Sequence, residues 1–128
     1  MNLYQAELMD HYQYPRNAGR LESADFASGE HNPSCGDSVA IEGMVHGMVV
    51  HKIAFVGKGC VISQATASML TEYCQGKSLK EILELGSPQV ISLVGMQLGP
   101  TRLKCALLAL SALKSGIITY QAQSPRIL

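Results

Sequence analysis

The sequence lacks an excess of charge of either sign. Its 128 residues include ten lysines and arginines and ten aspartates and glutamates, so the formal net charge at pH 7 is zero. It also lacks a basic run interleaved with aromatic side chains, which is the pattern that binds a phosphate backbone. Nucleic acid is therefore not an expected partner.

Long apolar stretches are missing as well. The longest, Cys105 to Leu113, has about nine residues, far below the roughly 20 needed to span a bilayer. Residues Met1 to Asp10 do not show the basic segment followed by an apolar one that marks a secretory signal. We predict no membrane span and a cytoplasmic protein, in which cysteines serve more often as metal ligands or catalytic groups than in disulfides.

Closely spaced cysteine pairs are the third absence. Zinc ribbons and fingers carry Cys-x2-Cys or Cys-x4-Cys pairs, whereas the four cysteines here lie far apart, at Cys35, Cys60, Cys74 and Cys105. A metal site built from them would draw each ligand from a different element. Metal sites of that kind are more often functional than purely structural.

Hydrophobic periodicity predicts an α+β fold in one domain, residues 1–128, which is long enough to bury a core without disulfides. Two β-branched runs, Ser38–Val45 and Met48–Val56, predict an antiparallel pair with a turn at His46-Gly47. Residues 24–30 offer a third strand. The expected architecture is a small antiparallel sheet of about three strands packed against several helices.

Helical signals lie at the N-terminus and throughout the second half of the chain. They are amphipathic spacing, a Ser-x-x-Glu capping box and a Ser-Pro helix start. The last helix is expected to stop at Gly116, before a loosely held tail over residues 117–128. The predicted helices cover about Leu3–Tyr12, the segment from Cys60 to near Gly76, two short segments beginning at Ser78 and Ser87, and Thr101–Ser115.

Three cysteines and one aspartate form the candidate site. Cys35 lies on a loop, and Asp37 lies two residues further on, so both side chains can point at one centre. Cys60 is expected at a strand-to-helix junction, and Cys105 near the first turn of the last helix, beside Lys104. Helix N-termini and cationic neighbours favour thiolates, so Cys60 and Cys105 are predicted to be reactive. Three sulfurs and one oxygen suit a tetrahedral metal ion.

Structural alternatives stand beside these assignments. A free cysteine is often a small buried hydrophobe, and Cys74, toward the C-terminal end of its helix, is predicted to have that packing role. Asp37 has an alternative role in a turn, and Lys104 is either a solvated lysine or a neighbour of a reactive sulfur. His31 is a minor candidate ligand. A cysteine hydrolase would need a histidine base, and no histidine is adjacent in sequence to a reactive cysteine.

Three ordered motifs carry a family resemblance, together with the opening Asp10-His11-Tyr12. The chain resembles the IscU/SufU/NifU N-terminal family of iron–sulfur cluster assembly proteins over nearly its whole length. The motifs are Asn32-Pro33-Ser34-Cys35-Gly36-Asp37, Gly57-Lys58-Gly59-Cys60-Val61-Ile62-Ser63, and Arg102-Leu103-Lys104-Cys105-Ala106.

The resemblance implies a compact α+β fold with a site built from Cys35, Asp37, Cys60 and Cys105. In the family such a site receives sulfur from a pyridoxal-phosphate cysteine desulfurase, holds a nascent [2Fe–2S] cluster or a zinc ion, and passes the product to recipient apo-proteins. We favour a cluster scaffold. The alternatives are a zinc-dependent sulfurtransferase, in which Cys105 accepts the persulfide, and a purely structural zinc site. Homo-oligomerisation is left open.

The chain combines features of two branches of that family. IscU-type scaffolds carry histidine immediately before the third cysteine, whereas this chain has Lys104, as SufU-type members do. SufU-type members carry an inserted segment between the second and third cysteines, which the interval 60–105 lacks. The chaperone-binding motif of IscU-type scaffolds, Leu-Pro-Pro-Val-Lys, is replaced by Leu98-Gly99-Pro100-Thr101-Arg102.

Overall fold

A sheet of three antiparallel strands, arranged in chain order, is packed against helices, as the sequence predicts. The computed structural model of the protein describes residues 3–34 and 36–123. The strands are β1 (Phe26–Asn32), β2 (Asp37–His46) and β3 (Val49–Lys58), and the helices are α1 (Leu3–Gln13), α2 (Val61–Cys74), α3 (Leu79–Leu83), α4 (Ser87–Val94) and α5 (Pro100–Gln123).

Strand β2 shows how the sheet forms the core. Its residues alternate between buried and half-buried as far as Met44, so Val39 and Ile41 point toward the helices. Helix α5 packs against β1 and β2, while α2 packs against α5 and β3. The continuous hydrophobic core therefore lies between the sheet and these two helices.

The β2–β3 hairpin differs from the prediction at its turn and in its alternation. The two loop residues are Gly47 and Met48, with φ of 59° and 64°, so the predicted His46-Gly47 turn is wrong by one residue. Both loop residues are left-handed, as in a type I′ turn. A register shift follows, because Met44 pairs with Lys52 whereas Val45 pairs with Val50.

The register shift changes which side chains of β3 point inward. His51 is the additional residue of this bulge, and its side chain is exposed. The sequence pattern placed Val49 and His51 on one face with Ile53 and Phe55. Instead Val50, with no exposed surface, joins Ile53 and Phe55 in the core.

The short helices begin close to where the sequence predicts. Ser78 and Glu81 form the capping box of α3, with bonds of 3.1 Å in both directions. The N-cap of α4 is Gly86 rather than Ser87, since Ser87 is already the first helical residue.

Helix α5 continues past the predicted stop. Gly116 is buried in mid-helix instead of ending it, and the helix runs to Gln123. A Cβ atom at Gly116 would lie 2.8 Å from Cδ1 of Phe26, so this glycine serves close packing of the helix on β1. The predicted loose tail is therefore wrong for residues 117–123, while residues 124–128 lie outside the described part of the chain.

Among the described residues, α5 is the one helix that is long and apolar enough to cross a membrane by length and composition. Half of its most apolar window is buried inside the protein. The core helix of a soluble protein meets the same criterion, so this finding is weak evidence for a span.

Candidate metal centre

Asp37 is the buried anchor of the candidate site. It is the first residue of β2, and only 1% of it is exposed. Its Oδ1 accepts a hydrogen bond of 2.7 Å from the backbone N–H of Cys60. The Cys60 thiol lies 3.3 Å from Oδ2, to which it donates. The carboxylate thus joins the start of β2 to the β3–α2 junction.

Gly59 makes this contact possible. Its φ is +131°, a backbone conformation that residues other than glycine rarely adopt. A Cβ atom at position 59 would lie 2.0 Å from Oδ1 of Asp37. Gly59 of the Gly-Lys-Gly-Cys sequence is therefore required by the space that the Asp37 carboxylate occupies, a role that the local sequence pattern does not reveal.

Cys60 lies at the predicted strand-to-helix junction. It is the N-cap residue of α2, with extended φ and ψ, and its side chain is exposed. Its sulfur accepts a hydrogen bond from the backbone N–H of Ser63, at 3.4 Å, in the way that a serine or aspartate cap would. One N–H of α2 and one carboxylate oxygen therefore orient the sulfur through two weak hydrogen bonds.

Cys105 brings a third ligand atom to the same point from helix α5. It is the sixth residue of α5, and 4% of it is exposed. Its sulfur, the Cys60 sulfur and a carboxylate oxygen of Asp37 all lie within 4.8 Å of one another. The fold thus brings together residues that are 23 to 68 positions apart in sequence.

These donors fit a soft or borderline metal ion. Two sulfurs and a carboxylate oxygen provide three corners of a tetrahedron, with metal–sulfur distances of about 2.3 Å for zinc. Such a set leaves one position for a further ligand. Cys35, the predicted fourth member, lies outside the described residues, although Asn32 and Asp37 on either side of its loop are paired across β1 and β2.

The other sequence candidates are Lys104, His31 and Cys74. His31 is an exposed residue of β1 and does not belong to the grouped ligand atoms among the described residues. Lys104 is exposed, one position before Cys105 in α5. Cys74 has no exposed surface, and its burial raises the pKa of the thiol to about 12. Its predicted packing role agrees with both observations. The predicted thiolate character of Cys60 and Cys105 stays a prediction.

An apolar cavity of about 690 Å³ opens beside the two cysteines. Its walls come from α1, the first turn of α2, the α4–α5 connection and the start of α5. Arg102 and Gln5 are its polar side chains of greatest reach. The lining residues are Gln5, Leu8, Met9, Cys60, Val61, Ile62, Met96, Thr101, Arg102 and Cys105.

His11 is a buried polar residue whose role the sequence pattern does not reveal. Its Nδ1 lies 2.7 Å from the Ser68 hydroxyl, and its Nε2 lies 3.6 Å from a carboxylate oxygen of Glu72. The Ser68 oxygen also accepts the Arg16 backbone N–H at 2.8 Å, so its own proton is available for Nδ1. This network fixes the end of α1 on α2, close to the cavity that α1 partly lines.

The fold and site define a class: α+β proteins with an aspartate and cysteines from separate elements grouped as metal ligands. Comparison with known proteins agrees. The NifU-like N terminal domain family matches residues 3–126. The chain belongs to this family.

Similar proteins include both a cluster assembly scaffold and a zinc-dependent sulfurtransferase. The chain is 34% identical over 125 residues to an iron–sulfur cluster assembly scaffold protein IscU 1 of Archaeoglobus fulgidus, covering 98% of this chain and 81% of that protein. It is 33% identical to the zinc-dependent sulfurtransferase SufU of Bacillus subtilis, covering 90% and 89% of the two chains. The crystal structure of a hypothetical protein, solved at 2.3 Å resolution, superposes with a TM-score of 0.76 at 33% identity, covering 91% of this chain and 97% of the other.

The two alignments differ in length. The alignment with the Bacillus subtilis protein runs over 132 positions, which is more than the 128 residues of this chain. That relative therefore has residues without a counterpart here. The Archaeoglobus fulgidus alignment covers nearly the whole chain in 125 positions.

Proposed function

We propose that the protein is an iron–sulfur cluster assembly scaffold. It receives sulfur from a cysteine desulfurase, assembles a [2Fe–2S] cluster on Cys35, Cys60 and Cys105 with Asp37 beside them, and transfers the cluster to apo-proteins. The observation that carries the proposal is the convergence of Asp37, Cys60 and Cys105 within 4.8 Å, in a chain of the NifU-like N-terminal family.

The donor chemistry supports a cluster that is held and then released. Thiolates are the preferred ligands of iron–sulfur clusters. A carboxylate is a weaker partner for a soft cluster, so Asp37 is the ligand that a recipient thiol displaces first. The exposure of Cys60 places one edge of the site at the surface, where a recipient protein can reach it.

The proposal is tested by anaerobic reconstitution with ferrous iron, cysteine and a desulfurase. Visible absorption and metal analysis are measured on one sample, and transfer to apo-ferredoxin is followed afterwards. We expect a coloured protein that loses its colour as the ferredoxin gains it. Cys60→Ser and Cys105→Ser should each abolish the colour, while Cys74→Ser, a change at a buried cysteine outside the site, should retain it. A colourless wild-type protein that keeps one zinc ion would contradict the scaffold function.

A zinc-dependent sulfurtransferase is the second candidate. It is favoured by the similarity to the Bacillus subtilis protein of that name and by Lys104 at the position before Cys105. In this function zinc would be held by Cys35, Asp37, Cys60 and Cys105, and Cys105 would take the persulfide. The zinc would keep the thiols deprotonated near neutral pH.

The second candidate makes a separate kinetic prediction. A sulfur acceptor should accelerate cysteine turnover by the desulfurase, because a thiolate removes the enzyme-bound persulfide sulfur. Cys105→Ala should remove that acceleration, while Cys74→Ala should leave it unchanged. Turnover that is unaffected by the wild-type protein would exclude a sulfurtransferase.

A further inference from the structure

The sulfur atoms of Cys60 and Cys105 lie within 4.8 Å of each other, in a site that faces an open cavity. We propose that this pair is an internal dithiol reductant, which converts a persulfide on Cys105 into free sulfide. The step deepens the proposed function, in which a persulfide reaches this site. Cluster assembly needs sulfide, whereas a persulfide delivers sulfur that is two electrons more oxidised.

The reaction is balanced without an outside electron donor. The Cys60 sulfur attacks the Cys105 Sγ atom of the persulfide, a sulfur–sulfur bond forms between the two cysteines, and the bond to the outer sulfur breaks. The outer sulfur leaves as sulfide with the electron pair of that bond, and the two cysteine sulfurs are oxidised to a disulfide. The thiol proton of Cys60 passes to Oδ2 of Asp37, to which it already donates at 3.3 Å, and then to the departing sulfide.

The local structure allows the two sulfurs to meet. A disulfide requires about 2.05 Å between sulfurs, so one side chain must move toward the other. Cys60 is the partner that moves, because it is exposed and its sulfur is held only by hydrogen bonds of 3.3 and 3.4 Å, to Asp37 and from the Ser63 N–H. Hydrogen bonds to and from sulfur are weak, so the side chain can give them up when it turns toward Cys105. Cys105 is the fixed partner because it is buried within α5.

The cavity provides room for the additional sulfur atom. Cys60 and Cys105 both line it, and its other walls are mostly apolar, with Leu8, Ile62 and Met96 among them. Persulfide exchange depends on which sulfur is attacked and on the leaving group. Attack on the inner sulfur releases sulfide, whereas attack on the outer sulfur would only move the persulfide to Cys60.

Each turnover leaves a disulfide, so a second turnover requires an external dithiol reductant. Without that reductant the protein should release sulfide once and then stop. The disulfide also removes both sulfurs from the metal site. Sulfide release and metal binding therefore alternate on the same pair of cysteines.

The test uses the zinc-free full chain and needs neither iron nor a desulfurase, so its outcome is independent of the proposed scaffold function. Inorganic polysulfide loads sulfane sulfur, the excess is removed, and intact mass and free sulfide are followed over time. We expect the mass of one added sulfur atom to give way to the mass of two lost hydrogen atoms. About one equivalent of sulfide should be released per chain, with a Cys60–Cys105 disulfide in the peptide map.

Matched variants separate this pair from the other cysteines. Cys60→Ser should keep the persulfide on Cys105 and release less than about a tenth of the wild-type sulfide, while Cys74→Ser should behave as wild type. The inference is overturned if the wild-type protein takes up no sulfur, if its persulfide is stable, or if the disulfide joins Cys35 to either partner instead. Unchanged sulfide release from Cys60→Ser would overturn it equally.

Discussion

At the residue scale, Gly59 and Asp37 approach so closely that a methyl group does not fit between them. A Cβ atom at position 59 would lie 2.0 Å from the carboxylate oxygen that accepts the Cys60 N–H. Gly59 contributes the space that a side chain would fill, and Asp37 contributes the carboxylate that occupies it. The geometry of the candidate metal site therefore depends on a glycine that supplies no ligand atom.

Gly59→Ala should weaken both the fold and the site. The substitution strains a φ of +131° and displaces the Asp37 carboxylate, so we expect a loss of about 1–3 kcal/mol in the free energy of unfolding. Zinc affinity should fall by about 10–100-fold, as expected when a residue that orients a ligand is disturbed. Urea unfolding and chelator competition measure the two effects.

Gly99→Ala is the matched control for this substitution. Gly99 has no left-handed φ, and nothing lies within 4 Å of the added methyl group. Its unfolding free energy should stay within about 0.5 kcal/mol of wild type. Equal stability and equal zinc affinity of the two variants would disprove the role assigned to Gly59.

At the scale of elements, α1 is attached to α2 through a buried histidine. Burial lowers the pKa of His11 below its usual 6.5, and Arg16 lowers it further, while Glu72, Glu7 and Asp10 act in the opposite direction. Neutral His11 can accept the Ser68 proton at Nδ1 while Nε2–H faces Glu72. The attachment of α1 is therefore expected to depend on pH.

The free energy of unfolding should fall as the pH decreases below about 6.5. In that range the unfolded chain binds a proton at His11 more readily than the folded protein does, so acid favours unfolding. The contribution of neutral His11 is fully present above pH 6.5 and is lost as the pH falls through the lowered pKa of the folded state. Urea unfolding between pH 8 and pH 5 measures it, at pH values spaced by about one unit.

His11→Asn should flatten this pH dependence, and His31→Asn, at an exposed histidine, should not. The asparagine variant will also be less stable at pH 8, because it loses part of the buried contact with Ser68. The comparison therefore rests on the slope against pH and not on the absolute stability. The same slope in wild type and His11→Asn would show that other groups cause it.

Gly116 determines how closely α5 approaches the sheet. Alanine favours a helix over glycine by about 1 kcal/mol, yet its Cβ would lie 2.8 Å from the Phe26 ring. We expect the clash to dominate, so that Gly116→Ala lowers the free energy of unfolding by about 1–3 kcal/mol. Ser111→Ala, at an exposed position of the same helix, should change it by less than about 0.5 kcal/mol.

A second substitution shows whether the ring causes the loss. In a Phe26→Leu background, Gly116→Ala should lower the free energy of unfolding by clearly less than it does in the wild type, because the aromatic ring that the methyl group would meet is absent. Chemical unfolding of the four proteins gives this coupling energy. Equal costs in both backgrounds would place the cause elsewhere in the packing.

At the scale of the whole molecule, the hydrophobic core and the candidate metal ligands occupy different places. The core extends from α1 through the sheet to α5, whereas the grouped ligands lie at its edge. A structural zinc site, the third alternative from the sequence, would require metal for folding. The size of the core argues that the chain folds without it.

Removal of zinc should lower the melting temperature without unfolding the protein. For zinc present at a hundred times its dissociation constant, the lost stability is about 2.7 kcal/mol. Thermal unfolding followed by circular dichroism should therefore show one cooperative transition in each sample, at a lower temperature with the chelator than without it. A chelated protein without a cooperative transition would establish a structural role for the metal.

The sequence alone determined the order of elements, the three strands, the capping box of α3 and the position of Cys60 at a helix start. These features depend on periodicity and on residues within a few positions of one another, so the local pattern contains the information. The cysteine motifs also identified the family, which the comparison confirmed.

Only the tertiary structure decided the features that depend on distant neighbours. Gly116 fits a helix stop in the sequence, but contact with Phe26, 90 positions away, makes it a packing residue. Likewise the space that Gly59 leaves for Asp37, and the approach of Cys105 to Cys60, arise when β2, α2 and α5 pack on one another. The local sequence pattern does not predict these contacts, because they depend on how side chains that are far apart in the chain pack together.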